Sequence, residues 1–301
     1  MRAAACLVLA ASLSLAAASA QAAASAQAAG AADRWFTTSD GVRLHYLEAG
    51  PADAPPILFV PGWTMPAWMF EPQLEALSAR YHVLALDPRG QGRSDIPVQG
   101  YEPGRRGRDI GELINRACDR PVVIVGWSLG VLDTLSYLRA EGDWRVAGLV
   151  LVDNSIGEGP PPPPRADRGK PRKPAERAKA RQAFVAGMFA RDPGEGYRAR
   201  LTADSLRVPA SAERALLSYP VPRQDWRGTI LMSARPVLYI VRPRLRGQGE
   251  ALIAERPHAR MEVFESAGHA LFVDEPERFN ALIEGFMAGD VARDVQSSAA
   301  R

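Results

Sequence analysis

The feature that most constrains this chain is the pentapeptide Gly-Trp-Ser-Leu-Gly at 126–130, together with what lies on either side of it. An apolar run at 122–125 precedes it, and an amphipathic run at 131–138 follows it. This order predicts a buried strand, a tight turn and a helix. A Gly-x-Ser-x-Gly turn in that setting is typical of a nucleophile elbow, which lifts the serine hydroxyl to the carboxyl edge of a sheet. Ser128 is therefore the candidate nucleophile.

The glycines of this turn carry a second prediction. As the strand folds back into the helix, a side chain at Gly126 or Gly130 would collide across the turn. The first helical N–H groups would then face any negative charge that develops beside Ser128. The pattern alone is weak evidence, because a chain with 26 glycines can meet it by chance. The alternative interpretation is a glycine-packed turn that carries an incidental serine.

The first twenty residues are typical of a secretory signal peptide. Arg2 supplies the positive start, residues 6–15 are apolar, and 18–20 form a small-residue cleavage site before Gln21. The apolar stretch is too short for a convincing membrane span. We therefore expect a periplasmic or secreted protein, with no stable membrane span once the signal is removed.

Cysteine usage and charge narrow the function classes. Cys6 leaves with the signal peptide, so Cys118 has no partner for an internal disulfide. The net charge is only +3, and basic residues concentrate at 165–181 without interleaved aromatic residues, so we expect no nucleic-acid partner. The sequence also lacks His-x-x-x-His, paired cysteines and a Gly-x-Gly-x-x-Gly before a helix. We therefore expect neither a metal nor a cofactor.

The alternation of strand-like and helix-like runs predicts the fold class. Strand-like runs occur at 42–47, 57–60, 83–86, 122–125, 149–152, 237–241 and 262–264. Helix-like segments separate most of them. We predict an α/β fold with a mostly parallel twisted sheet flanked by helices.

One region interrupts this alternation after the strand-like run at 149–152. Five consecutive prolines at 160–164 can enter neither a helix interior nor the sheet. Helix-like runs follow at 176–191, 195–206 and 211–218. We interpret this region as a helical cap inserted into the core. The predicted organisation is signal peptide 1–20, flexible linker 21–33, core 34–155, helical cap 156–230, core 231–289 and tail 290–301.

A serine hydroxyl needs a base, and the chain has four histidines. His45 lies within an alternating strand, His82 opens a buried strand, and His258 lies near the end of a predicted helix. His269 differs, because it follows Gly268 in a loop just after the last strand, where catalytic side chains are common. We predict His269 as the general base.

The mature chain resembles the α/β-hydrolases over about residues 36–287. The motifs that carry the resemblance are Phe-Val-Pro-Gly-Trp at 59–63, Asp-Pro-Arg-Gly-Gln-Gly-Arg-Ser at 87–94, the pentapeptide at 126–130, Ala-Gly-His at 267–269 and Pro-Glu-Arg-Phe at 276–279. The resemblance implies the α/β-hydrolase fold and the chain order nucleophile, acid, histidine. Within that superfamily the chain is similar to esterases and to cofactor-free haloperoxidases.

The acid is where the sequence departs from the family pattern. The family usually places an aspartate just after the seventh strand, where this chain has Leu245. Some members carry the acid at the end of the sixth strand instead, where this chain has Asp153. We favour Asp153, which is otherwise a common kind of turn cap. Glu250, Glu255 and a dyad without an acid stay open as alternatives.

The resemblance also implies an oxyanion hole made of backbone N–H groups. Leu129, which follows the nucleophile, is one predicted donor. The family's second donor follows a His-Gly pair. Here Pro61 replaces that histidine and Gly62 remains, so Trp63 is the predicted second donor.

Together these features predict an exported serine hydrolase that cleaves small-molecule carboxylic esters through an acyl-enzyme. One alternative is perhydrolase or haloperoxidase-type activity on the same Ser128, His269 and Asp153. Another is a catalytically weak binding module, suggested by Pro61 and by the missing aspartate after the seventh strand.

Overall fold

The computed structural model describes residues 30–158 and 173–299. The predicted signal peptide and the proline run at 160–164 lie outside the described residues, as does most of the predicted linker. Within the described ranges, no helix is both long enough and apolar enough to cross a bilayer.

The described chain forms one eight-stranded sheet with the strand order β1-β2-β4-β3-β5-β6-β7-β8. The strands are β1 Ala32–Thr37, β2 Arg43–Ala49, β3 Pro56–Val60, β4 His82–Leu86, β5 Val122–Trp127, β6 Val146–Val152, β7 Val237–Val241 and β8 Arg260–Val263. The β1–β2 and β2–β4 pairs are antiparallel, and all the other pairs are parallel. The predicted mostly parallel sheet is confirmed.

The central strands owe their apolar sequences to burial on both faces. Every residue of β3, β4, β5, β6 and β7 is buried. In β5, Val122 and Ile124 belong to the core on one face, whereas Val123 and Val125 belong to the core on the other. Such strands need helices on both sides of the sheet.

Helices cover both faces of the sheet and form the insertion between β6 and β7. They are α1 Glu71–Leu77, α2 Pro103–Ala117, α3 Leu129–Glu141, α4 Pro174–Ala186, α5 Glu195–Arg207, α6 Ala210–Leu217, α7 Arg223–Met232, α8 Arg246–Glu255, α9 Leu271–Asp274, α10 Pro276–Phe286 and α11 Ala292–Ala299. Apolar residues of α2 and α3 pack on one face, and those of α1 and α10 pack on the other. Helices α4 to α6 fall in the segment 156–230 predicted as a cap, and α7 extends two residues beyond it.

Several predicted boundaries differ from the observed ones. β1 was not predicted, because only Phe36 of this edge strand is buried and the sequence shows no apolar pattern there. Its first two residues fall inside the expected linker. The helix predicted over 176–191 ends at Ala186 instead, and Gly187 caps it. Helix α7 was not predicted, and helix α11 occupies most of the predicted tail.

Parallel pairing brings four chain segments to one edge of the sheet. The residues just after β3, β5, β6 and β7 are Pro61, Ser128, Asp153 and Arg242. These strands are neighbours in the order β3-β5-β6-β7, so the four residues stand side by side at the carboxyl edge. Ligands of open α/β sheets bind at this edge.

Candidate active site

Ser128 lies on a tight turn between β5 and α3. Its backbone has φ 55° and ψ −119°, a conformation rare for a residue other than glycine. Neighbouring backbone leaves no room for side chains on the flanking glycines. A Cβ at Gly126 would lie 2.7 Å from the oxygen of Gly130, and one at Gly130 only 2.1 Å from that of Val60. The predicted steric need for both glycines is confirmed, although Gly130 meets β3 rather than its own turn.

Three side chains from distant parts of the sequence form a continuous hydrogen-bonded chain. His269 Nε2 is 2.9 Å from Ser128 Oγ, and His269 Nδ1 is 2.6 Å from Asp153 Oδ2. The structure therefore brings together the three residues selected from the sequence. With Nδ1 protonated and bonded to Asp153, Nε2 is free to accept the Ser128 proton.

Asp153 contacts two arginines as well as the histidine. Arg242 donates its backbone N–H to Oδ1 at 3.2 Å and its Nε–H to Oδ2 at 2.7 Å, and Arg244 Nη2 lies 3.5 Å from Oδ2. Burial by itself raises the pKa of Asp153. The hydrogen bond from His269 and the charges of His269, Arg242 and Arg244 outweigh burial, so the pKa is lowered below its ordinary value. The carboxylate is thus kept ionised.

The alternative acids do not reach the histidine. Glu250 is exposed on α8, and Glu255 pairs with Arg227. Asp153 occupies the position beside His269 Nδ1. His269 therefore has a carboxylate partner although no aspartate follows β7.

The other histidines have partners elsewhere or face solvent. His45 lies between Asp87 and Asp33, at 2.7 and 2.9 Å. His82 bonds Glu48 at 2.8 Å, and His258 is exposed.

The loop that carries His269 is fixed by two side chains, Trp127 and Asp274, whose role was not predicted from the sequence. The indole of Trp127 donates to the His269 carbonyl at 2.8 Å. Asp274 accepts the N–H groups of Gly268, Ala190 and Arg191 at 2.7–3.0 Å, so it joins this loop to the segment after α4. The position of Trp127 beside the nucleophile was the available sequence signal.

The predicted oxyanion donors border Ser128. A Cβ at Gly62 would lie 2.9 Å from Ser128 Cβ and 3.4 Å from its Oγ, so the Gly62–Trp63 peptide runs directly past the hydroxyl. Leu129 is the first residue of α3, where N–H groups lack helical acceptors. In residues 30–158 and 173–299, the backbone N–H groups of Trp63 and Leu129 donate to no protein atom. Both are available to a bound oxyanion.

Gln91 orients the Gly62–Trp63 peptide from the core side. Its Nε2 donates to the carbonyls of Gly62 and Met65, at 3.2 and 3.3 Å, and its Oε1 accepts the N–H of Thr64 at 2.5 Å. In a trans peptide, C=O and N–H point in opposite directions. Because the Gly62 carbonyl points towards Gln91, the Trp63 N–H points away from it.

The described residues contain no group of three or more His, Cys, Asp or Glu side chains placed to hold a metal ion. The chemistry available at the site is that of a base-assisted hydroxyl beside two backbone donors. This combination suits attack on a carbonyl carbon.

Comparison with known proteins assigns the chain to a family. Residues 57–282 match the Alpha/beta hydrolase family, and the chain belongs to it. The eight-stranded, mostly parallel sheet flanked by helices is the fold of that family.

Individual relatives in this family catalyse several reactions. The chain is 27% identical over 260 residues to 3-oxoadipate enol-lactonase 2 of Acinetobacter baylyi, covering 83% of this chain and 95% of that protein. It is 38% identical over 117 residues to a non-heme chloroperoxidase of Streptomyces lividans, covering 38% of this chain and 42% of the relative. The chain thus spans less than half the length of that chloroperoxidase.

A solved structure extends the comparison to almost the whole fold. An esterase from Rhodococcus sp. ECU1013 superimposes with a TM-score of 0.72 at 25% identity, covering 86% of this chain and 99% of that one. These relatives support a hydrolase.

Proposed function

We propose that the protein is an exported serine hydrolase that cleaves small-molecule carboxylic esters through an acyl-enzyme. The single observation that carries the proposal is the hydrogen-bonded chain from Ser128 through His269 to Asp153. Similarity to an esterase and to an enol-lactonase favours an ester as the bond that is cleaved.

In the first half-reaction, Ser128 Oγ attacks the ester carbonyl carbon while its proton passes to His269 Nε2. The carbonyl oxygen becomes an oxyanion. When the tetrahedral intermediate collapses, the C–O bond to the alcohol breaks, and His269 returns the proton to the departing oxygen. The acyl group stays on Ser128.

In the second half-reaction, water replaces the alcohol. His269 removes a proton from the water, whose oxygen attacks the acyl carbon. When the second tetrahedral intermediate collapses, the bond to Ser128 Oγ breaks and His269 returns the proton to that oxygen. The carboxylic acid is released and the free Ser128 hydroxyl is restored. Asp153 holds the imidazole in the required tautomer and stabilises the imidazolium in both halves.

The N–H groups of Trp63 and Leu129 stabilise the oxyanion in this mechanism. Removal of one such donor from a serine hydrolase costs about 3–4 kcal/mol in the transition state. Gly62 allows the close approach, since a larger residue there would contact Ser128 itself.

The test is hydrolysis of p-nitrophenyl acetate and butyrate by the purified protein and by Ser128→Ala. We expect the variant to lose at least about 10⁴-fold in kcat and to escape labelling by a fluorophosphonate. Ser78→Ala is the matched control, because the Ser78 hydroxyl donates to the carbonyl of Glu75, three residues earlier in the chain, and makes no contact with the site. Equal turnover by the wild type and Ser128→Ala would remove the proposal.

A second activity, perhydrolysis, is favoured by the similarity to non-heme chloroperoxidases. Hydrogen peroxide would attack the same acyl-enzyme in place of water, giving a peracid. Peracid formation from acetate esters and peroxide, measured against hydrolysis by the same enzyme, separates the two activities.

The export component rests on residues 1–20. Expression of the full chain in a Gram-negative host, followed by fractionation and mass spectrometry of the mature N-terminus, tests it. A protein that stays in the cytoplasm with residues 1–20 attached would contradict export.

A further inference from the structure

A buried polar cluster joins the oxyanion loop to the helices of the insertion. We call Thr64, Arg181, Ser205 and Glu213 the clamp cluster. Arg181 of α4 donates from Nη1 to Thr64 Oγ1 at 2.5 Å and to Ser205 Oγ at 2.8 Å. Its Nη2 donates to Glu213 Oε1 at 2.5 Å. The Arg181 side chain is only 4% exposed, so these bonds form away from solvent.

The same helices hold the side chain of Trp63. Its indole N–H donates to the Glu213 carbonyl at 2.9 Å. The Arg181 guanidinium lies 4.3 Å from the centre of the Trp63 ring, within cation–π distance. Trp63 therefore contacts Arg181 directly and also through Glu213.

The cluster meets the oxyanion loop at its most constrained residue. Thr64 has φ 63°, which a β-branched residue rarely adopts. Such conformations persist only where surrounding contacts hold them. On the core side Gln91 accepts the Thr64 N–H, and on the other side Arg181 and Ser205 bond the Thr64 hydroxyl. That hydroxyl also donates to the Trp63 carbonyl at 2.7 Å.

We propose that Arg181 is a positioning residue for catalysis: through the Thr64 hydroxyl and the Trp63 ring it aims the Trp63 N–H at the oxyanion. The proposal rests on the function proposed above. A displaced Trp63 N–H weakens binding of the transition state more than binding of the neutral ester. Arg181 therefore acts on kcat rather than on KM, although it touches no reacting atom.

The experiment compares two pairs of variants. Arg181→Met removes the contacts to Thr64, whereas Arg177→Met removes a second arginine from Glu213 without touching the oxyanion loop. Thr64→Val deletes the hydroxyl at nearly constant shape, whereas Thr64→Ser keeps it. We expect kcat for p-nitrophenyl butyrate to fall about 10- to 100-fold in Arg181→Met and Thr64→Val. KM should change by less than about threefold, because the neutral ester gains little from the oxyanion donors.

Two further readouts separate positioning from general damage. The Ki of phenylboronic acid, which forms a tetrahedral adduct on the serine, should rise by the same factor as kcat falls. The double variant Arg181→Met/Thr64→Val should be about as active as the less active single variant, since both substitutions remove the Arg181–Thr64 hydrogen bond. Circular dichroism and thermal melting monitor the fold. If Arg181→Met does not fold, the Thr64→Val and Thr64→Ser pair decides alone.

Three results would overturn the proposal. They are unchanged kcat in Thr64→Val, equal losses in Arg177→Met and Arg181→Met, and a rise in KM that accounts for the loss. A wild-type protein that neither hydrolyses esters nor reacts with a fluorophosphonate would refute the proposed function, which is a different failure.

Discussion

The turn that carries Ser128 and the loop that carries Trp63 face each other, yet the protein holds them by different means. Contacts between backbone atoms fix the turn: Ser128 N–H donates to the Val152 carbonyl at 2.9 Å, and Gly130 lies against β3. Side chains fix the loop, with Gln91 on the core side and the clamp cluster on the other.

This difference separates what point substitutions can do. A side chain at Gly126 would meet the backbone of α3, and one at Gly130 would meet the end of β3, so the turn tolerates almost no change there. Polar side chains can be shortened or exchanged one at a time, so the loop can be shifted while the fold is kept. The position of the proposed nucleophile is thus set by the sheet, whereas the position of the proposed oxyanion donor depends also on the inserted helices.

The largest effect is expected on the nucleophile side, at Asp153. Asp153→Asn should lower kcat by about 10⁴-fold, because an amide in that place favours the wrong tautomer of His269. Steady-state hydrolysis of p-nitrophenyl butyrate measures the loss. Glu250→Gln is the control and should leave kcat within about twofold. A comparable loss of kcat in the control would indicate that Glu250, rather than Asp153, is the acid that assists His269.

The lowered pKa of Asp153 gives the same variant a pH signature. Because the folded-state pKa lies below the unfolded value of about 3.9, the ionised carboxylate contributes stability above that value. The contribution is lost as the pH falls through the folded-state pKa. The wild type should therefore lose its stability advantage over Asp153→Asn, measured as the difference between their free energies of unfolding, as the pH is lowered from 5 to about 2–3. A difference that stays constant in urea titrations would contradict the assignment.

Gly130→Ala should give the next largest effect, on stability. Its Cβ would lie 2.1 Å from the Val60 oxygen, so β3 or α3 must move. Overpacking of this kind costs about 1–3 kcal/mol and occasionally more. Gly228→Ala in α7 is the matched control, because nothing lies within 4 Å of its added Cβ. We expect it to be neutral or slightly stabilising. Equal unfolding free energies for the two variants would show that the turn is more yielding than its contacts indicate.

Gln91→Leu should have an intermediate effect, mainly on catalysis. It leaves the buried Thr64 N–H without its acceptor and removes one of two hydrogen bonds to the Gly62 carbonyl, which keeps the bond from the Met65 N–H. We expect kcat to fall about 10- to 100-fold and the protein to lose about 1–3 kcal/mol of stability. Gln91→Glu keeps the acceptor for Thr64 and should retain more activity. A Leu variant with full kcat would mean that the loop holds its shape unaided.

The smallest effect is expected at Trp127, whose indole bonds the His269 carbonyl. Trp127→Phe removes one hydrogen bond and keeps an aromatic ring, at a cost of about 1 kcal/mol. That corresponds to about a fivefold lower kcat if the whole cost falls on the position of His269. Thermal melting shows how much of the cost falls on stability instead. A loss larger than that of Gln91→Leu would contradict this ranking of the two variants.

The parts of the fold that were predictable are those whose burial leaves a mark on the sequence. The strand β7 is continuous and apolar because both of its faces are covered, and its bounds are those predicted. The edge strand β1 and the helix α7 left no such mark, because each buries a single residue, Phe36 and Ile230 respectively.

The site divides in the same way. Ser128 and His269 were predictable because each lies in a local motif, and Asp153 because it directly follows a strand. Arg242 was missed, because its partner lies 89 positions away. The parallel pairing of β6 with β7 was the available signal, since it places the ends of both strands side by side. Gln91 was missed because its role depends on the course of a loop rather than on a pattern.

Asp153 and Arg242 lie at the ends of the two strands that flank the inserted helices. Asp153 comes just after β6 and Arg242 just after β7. A chimera with foreign helices between these strands would therefore displace Asp153 and Arg242. The hydrogen bonds that join Asp153 to His269 and His269 to Ser128 would be disturbed before substrate selectivity changed. A slip of β7 by one residue would turn Arg242 to the opposite side of the sheet. Recombination libraries that vary the insertion between β6 and β7 should therefore keep the native residues next to both strands. The breakpoints belong inside the insertion rather than at its two ends.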